Sequence, residues 1–302
     1  MIMKRTLIFL ITVVASMVTS YGQDHSRYDE AVALLDAFET DSLKTYLEQW
    51  EAEEPGNAEV YALWLNYYYF TALEEVVEIV PEFPEGESAF ALVDSTGNNA
   101  GYIVSKVVLH GDVLKLGYEK IDRGMALNPD RLDLYFGKAH LLLNASADYE
   151  GFISLIMKTF ERNKANGGAW TWTFNEPMND NGESFINSIQ DYFVALYSID
   201  DKEYASRLVD MALETYPDNV MFLSDRAVLA FVAGDLHSAL EQYLKVLEIA
   251  PDDWLVMANI ANIHRDLNNI DEAVKYYTML KESDDPEFAQ LAVQALEELE
   301  NQ

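Results

Sequence analysis

Gly234-Asp235-Leu236-His237-Ser238-Ala239-Leu240 leads into Tyr243, Val246 and Pro251, and the pattern returns 34 residues later as Asn268-Asn269-Ile270-Asp271-Glu272-Ala273-Val274, leading into Tyr277 and Leu280. Ala205 stands 34 residues before Ala239, and Ala273 stands 34 after it. Pro217 and Pro251 keep the same interval, and Pro286 falls one residue late. Between these marks apolar residues recur three and four apart, which places them on one stripe of an α-helix. A small residue lets two helix axes approach closely. A proline ends a helix because the residue before it leaves the α region. A fixed period of this length marks stacked helix pairs, each too small to bury its apolar face alone.

These residues resemble the tetratricopeptide family, whose 34-residue unit is two antiparallel helices with a small residue at their crossing and a proline closing the second. The same template extends towards the N-terminus. Ala58 to Tyr69 (Ala-Glu-Val-Tyr-Ala-Leu-Trp-Leu-Asn-Tyr-Tyr-Tyr) resembles a first helix, and Pro55 closes the unit before it. Gly117, Ile121, Gly124 and Pro129 match a second helix, with glycine at the small positions. The first three units are more diverged than the last three.

Spacing predicts two insertions. Pro55 to Pro129 is 74 residues, one period plus 40, and Pro129 to Pro217 is 88, two periods plus 20. The first insertion, about residues 70–109, contains the acidic, proline-containing stretch Glu78 to Glu87. It then carries strand-like runs at Ala89–Val93 and Tyr102–Val108, around Ser95-Thr96-Gly97-Asn98-Asn99. Glycine and asparagine at a turn between β-branched runs predict a β-hairpin. The second insertion, about residues 163–183, holds Gly167-Gly168-Ala169-Trp170-Thr171-Trp172-Thr173-Phe174 and a polar Asn/Asp/Gly stretch. Nothing in either insertion matches the family. The expected fold is all-α: a tetratricopeptide-type solenoid of about six helix pairs from near Tyr28, and a capping helix from about Pro286 to Glu300. A polar-faced last helix suits a solenoid, which otherwise exposes apolar surface at its end. Residues 23–302 are expected to form one elongated superhelical domain.

Residues 1–22 read as an export signal. Lys4 and Arg5 precede the apolar run Leu7 to Val18, and Ser20 and Gly22 occupy the −3 and −1 positions for cleavage before Gln23. That run is short of the roughly 20 apolar residues a membrane-spanning helix needs. No cysteine follows it, so a lipoprotein is excluded, and cleavage predicts a periplasmic or secreted bacterial protein with no stable membrane insertion. The chain of 302 residues has 50% hydrophobic and 12% aromatic residues and no cysteine, so apolar burial must hold it together without disulfides.

Chemistry is hard to find. None of His25, His110, His140, His237 and His264 pairs with another at metal-binding spacing, and there is no thiol, no Gly-x-Ser-x-Gly and no phosphate-binding glycine loop. Asn179-Asp180-Asn181-Gly182 fails the EF-hand spacing, with Pro177 at the first ligand position. No catalytic residue, metal site or cofactor is expected. The formal charge of −32, on 20 basic and 52 acidic side chains, excludes nucleic acid as a partner. It favours a basic protein or peptide, or serves solubility alone.

In the family, first helices line a concave groove that takes extended peptides or partner helices. By position, the resemblance places Asn66, Tyr69, His140, Asn144, Gln190, Tyr197, Asp225, Phe231, Asn259, Asn262 and Arg265 there. Asn259, Asn262 and Arg265 are three residues apart and share one helix face. A side-chain amide both donates and accepts, which suits sequence-tolerant binding of a peptide backbone. Where some members grip a C-terminal carboxylate with Lys and Arg, this chain has Ala62, Phe136, Gln190, Ser224 and Ala258, which argues against that activity. Trp50, Trp64 and Trp254 sit at helical spacing, as core residues do. Trp170 and Trp172 alternate with threonine in an insertion, where they either anchor a partner or a sugar ring or fold back onto neighbouring helices. The expected function is a non-enzymatic protein- or peptide-binding scaffold; the alternative is a glycan binder, or a degenerate glycan enzyme, using the Trp170/Trp172 loop.

Overall fold

The computed structural model describes residues 25–84 and 88–300. The signal at residues 1–22, its cleavage point before Gln23, and residues 85–87 of the acidic stretch lie outside the described residues.

Among the described residues thirteen α-helices follow in order. They are α1 (Ser26–Asp36), α2 (Thr40–Glu53), α3 (Ala58–Thr71), α4 (Gly111–Leu127), α5 (Leu132–Asn144), α6 (Tyr149–Asn166) and α7 (Glu183–Tyr197), then α8 (Glu203–Thr215), α9 (Val220–Val232), α10 (Leu236–Ile249), α11 (Trp254–Asp266), α12 (Ile270–Leu280) and α13 (Pro286–Glu300). In sequence these are six helix pairs and a closing helix. The fold class is therefore the expected one, all-α and of tetratricopeptide-solenoid type with a small antiparallel sheet inserted.

The repeat spacing has a direct local cause. Tyr216 and Ala250, immediately before Pro217 and Pro251, leave the helical region and end α8 and α10. Two residues beyond each proline stands a capping side chain. Asn57 accepts from the Glu59 amide, Asn219 from those of Met221 and Phe222, and Asp253 from that of Val256. Ala205, Ala239 and Ala273 have no exposed surface, as residues at close helix crossings should. Ala239 packs with Tyr243, Val256 and Ile260. Ala273 packs with Tyr277 and with Ala292 and Ala295 of α13, which caps the end of the array. Trp50 and Trp64 are buried, and Trp254 packs against this last cluster.

The first insertion differs from the expected hairpin by one strand. Strands β2 (Ala89–Val93) and β3 (Asn99–Leu109) pair antiparallel, but β1 (Leu73–Val80) joins the other edge of β3, giving the order β1-β3-β2. Register runs from Leu73↔Leu109 to Val80↔Tyr102. The glutamates that make β1 read as part of an acidic linker are satisfied within the sheet. Glu74 meets His110 at 2.6 Å, Glu75 accepts from Ser105 at 2.6 Å and Glu78 pairs with Lys106 at 3.4 Å.

The second insertion contains a two-stranded ribbon, β4 (Thr171–Trp172) with β5 (Glu176–Pro177), around a single turn of 3₁₀-helix. The chain divides into two compact units. One comprises the residues up to Leu155 together with Ala165–Met178; the other comprises Ile156–Lys164 together with Asn179 onward.

Candidate functional site

In the first unit the aromatic insertion is fastened by an ionic centre. Arg131 occupies the N-cap position of α5, where α3, α9 and α11 have Asn57, Asn219 and Asp253, and it caps nothing. Its guanidinium donates instead to Asp133 (2.9 and 2.7 Å), to Glu59 at the start of α3 (2.9 Å) and to Asn175 (3.4 Å). The Glu59 oxygen that accepts from Arg131 also accepts from the Phe174 backbone N–H at 2.6 Å. The Thr171 amide donates to the Asp130 carbonyl at 2.8 Å, which lays the ribbon along the entry to α5. Phe174 is held at φ 60° and puts its ring 3.8 Å from the centre of His25 and 5.1 Å from that of Tyr28.

This arrangement decides between the two readings of the tryptophans. Trp170 is only 2% exposed and packs edge-on against Tyr135 at 5.7 Å. Trp172 is half-buried and tilts against Phe136 at 6.3 Å. The loop folds back, so Trp170 is a packing residue and offers no ring face to a sugar or peptide. The same unit brings two other candidates together: Asn144 donates to the Nδ1 of His140 at 3.2 Å and to its carbonyl at 3.1 Å. Burial holds the His140 imidazole below its ordinary value, favouring the neutral ring. Asn66 and Tyr69 are half-buried on α3, and burial raises the Tyr69 phenol.

In the second unit the candidates make separate contacts. Gln190 on α7 donates to Asp225 on α9 at 3.0 Å. Asn259 on α11 lies close enough to the Tyr243 phenol, on a second helix outside the family's groove positions, to hold it down against the rise that burial causes. Tyr277 donates to Asn262 at 2.7 Å. Tyr197 stacks on Phe193 at 5.7 Å, with the Lys202 ammonium 4.8 Å from its ring centre. Phe231 is 44% exposed, and Arg265 lies half-exposed beside Asp266 at 3.9 Å. Asn262 is thus held by a phenol of the following helix. Asp180 of the polar stretch accepts from the Gly182 and Ser184 amides at 3.1 and 2.9 Å, closing the turn into α7.

Arg131, Glu59 and Asp133 were not expected at any site. The signal was present: Pro-x-Asn/Asp recurs at residues 55–57, 217–219 and 251–253, and Pro129-Asp130-Arg131 breaks it.

Comparison with known proteins places the repeat. The tetratricopeptide repeat profile matches residues 256–283, which run from α11 through α12. No curated protein matches the sequence. Among solved structures the chain is similar to PilW, described as a widely conserved type IV pilus biogenesis factor, at 11% identity and a TM-score of 0.37, covering 88% of this chain and 97% of that one. It is also similar to PilF of Pseudomonas aeruginosa, at 10% identity and a TM-score of 0.36, covering 89% and 96%. At those values the likeness supports no functional conclusion. No described helix is long and apolar enough to cross a membrane.

Proposed function

We propose that this chain, a tetratricopeptide-repeat protein, is a non-enzymatic scaffold of the bacterial periplasm or cell surface that binds a protein or peptide along its first-helix faces. One observation carries this reading. Within the matched repeat, Asn259, Asn262 and Arg265 share a face of α11, and the Asn262 amide is set in place by the Tyr277 hydroxyl. A fixed amide binds an extended backbone without first losing rotamer freedom, which lowers the entropy cost of association. The formal charge of −32 favours a basic partner.

The test uses the mature protein as bait on the native envelope fraction, followed by affinity measurement on the captured protein. The double variant Asn259→Ala, Arg265→Ala should bind at least about tenfold more weakly, roughly 1.4 kcal/mol. Undiminished affinity would overturn the assignment to this face. A basic partner should also weaken steeply between low and high salt, whereas a neutral one should not. Export is checked by intact mass: the exported chain should begin at or near Gln23, and retention of residues 1–22 would mean a membrane anchor.

A further inference from the structure

In the second unit, two buried acceptors lack a donor and belong to one pair of side chains. Gln190 donates its amide N–H to Asp225 Oδ1 at 3.0 Å. The remaining oxygens of the two groups, Gln190 Oε1 and Asp225 Oδ2, are both shut off from solvent and accept from no group. Asp225 is 5% exposed. Leaving a carboxylate and an amide oxygen buried without donors forfeits their hydrogen bonds to water with nothing in return. A carboxylic acid has what the carboxylate lacks, an O–H donor. One proton on Oδ2, donated to Gln190 Oε1, supplies both oxygens at once and closes a ring of two hydrogen bonds between acid and amide.

Tyr243 on α10 lies within electrostatic reach of Asp225, of Tyr197 on α7 and of Asp253 before α11. Arg226, the next residue on α9, turns away to Asp210 and Ser206 of α8. Burial pushes the Asp225 carboxyl up to about 7.

We propose that Asp225 carries a proton in the folded protein under mildly acidic conditions and donates it to Gln190, so that a neutral acid–amide pair ties α7 to α9 and loosens as the proton leaves on approach to and beyond neutral pH. The sign follows from linkage. The folded value of about 7 lies above the ordinary 3.8, so the group's stabilisation is complete below about 4 and is lost as pH rises towards and through about 7.

Two measurements test this. Carboxyl ¹³C NMR of the wild-type protein, with Asp225 assigned through the backbone, should show that group titrating near pH 7; a midpoint below about 5 would overturn the proposal. Asp225→Asn imitates the protonated acid, because its amide can donate to Gln190 Oε1 while its carbonyl accepts. The folding equilibrium constant of Asp225→Asn relative to wild type should rise about tenfold per pH unit between about pH 4 and 7, then level off. A ratio that does not change with pH would sink the shared proton. Should the variant not fold, the wild-type titration decides alone.

Discussion

Arg131 and Glu59, 72 residues apart in sequence, meet at 2.9 Å with side chains only 1% and 7% exposed. The pair joins the entry of α5 to the entry of α3, and Glu59 passes the connection on to the Phe174 amide. Two charges removed from water repay their desolvation only with further hydrogen bonds, and here Asp133, Asn175 and the Phe174 amide supply them. The first unit's helix entries and its aromatic insertion therefore share one polar centre. Arg131→Met keeps an unbranched but shorter side chain and removes the charge, leaving Glu59 and Asp133 without their partner. Denaturant unfolding should show a loss of about 3–5 kcal/mol. A loss under about 1 kcal/mol would mean that the centre is ornamental.

The same centre fixes what the tryptophans do. Trp170, 2% exposed, should behave as a core aromatic, and Trp170→Ala should cost about 3–5 kcal/mol. Trp172 is half-buried, and its removal should cost distinctly less. The measurement is again unfolding by denaturant, with both single variants compared. If Trp170→Ala melted within a few degrees of wild type, the packing of the insertion on Tyr135 would be wrong.

The sequence displayed the fold where the fold is periodic. Ala205, Ala239 and Ala273 announced the crossings, and Pro217 and Pro251 the helix ends, because close approach and a blocked α region act on single residues at fixed spacing. Strand β1 stayed hidden because its three glutamates make Leu73–Val80 look like a solvated linker, and only its register against β3 shows that Glu74, Glu75 and Glu78 have partners. The insertion's docking was hidden for a related reason. Arg131, Glu59 and Phe174 are far apart in the chain, and no local pattern reports a long-range ion pair. In the second unit, position within the repeat led to Gln190, Asn259 and Asn262, but not to the Tyr277 phenol that holds Asn262.

Ala239 tests the repeat at its best-formed unit. It is fully buried beside Tyr243, Val256 and Ile260. Ala239→Phe adds a ring where two helices have no room to part, and it should destabilise by about 1–3 kcal/mol. An exposed alanine would accept the change within about 0.5 kcal/mol. A thermal or denaturant scan that found so small an effect would remove Ala239 from the crossing.

Gly124 gives a prediction in which two effects of opposite sign compete. It lies inside α4, where alanine is favoured over glycine by about 0.8–1.0 kcal/mol on helix propensity alone. On an open helix face Gly124→Ala would therefore stabilise. Here a Cβ at this position would stand 2.6 Å from Tyr61 Cβ and 2.9 Å from its Cγ, closer than real side chains pack. Tyr61 cannot swing aside: its side chain is fully buried and its hydroxyl donates to the Pro55 carbonyl at 2.7 Å. The clash must then be relieved by moving α4 away from α3, and overpacking of that kind costs about 1–3 kcal/mol. Subtracting the propensity gain leaves a net loss of up to about 2 kcal/mol. Gly56, with open space around it, serves as the control, since Gly56→Ala meets nothing within 4 Å. Denaturant midpoints of the two variants should therefore separate, with Gly124→Ala below wild type. A midpoint for Gly124→Ala at or above wild type would show that α3 and α4 do not approach through this glycine.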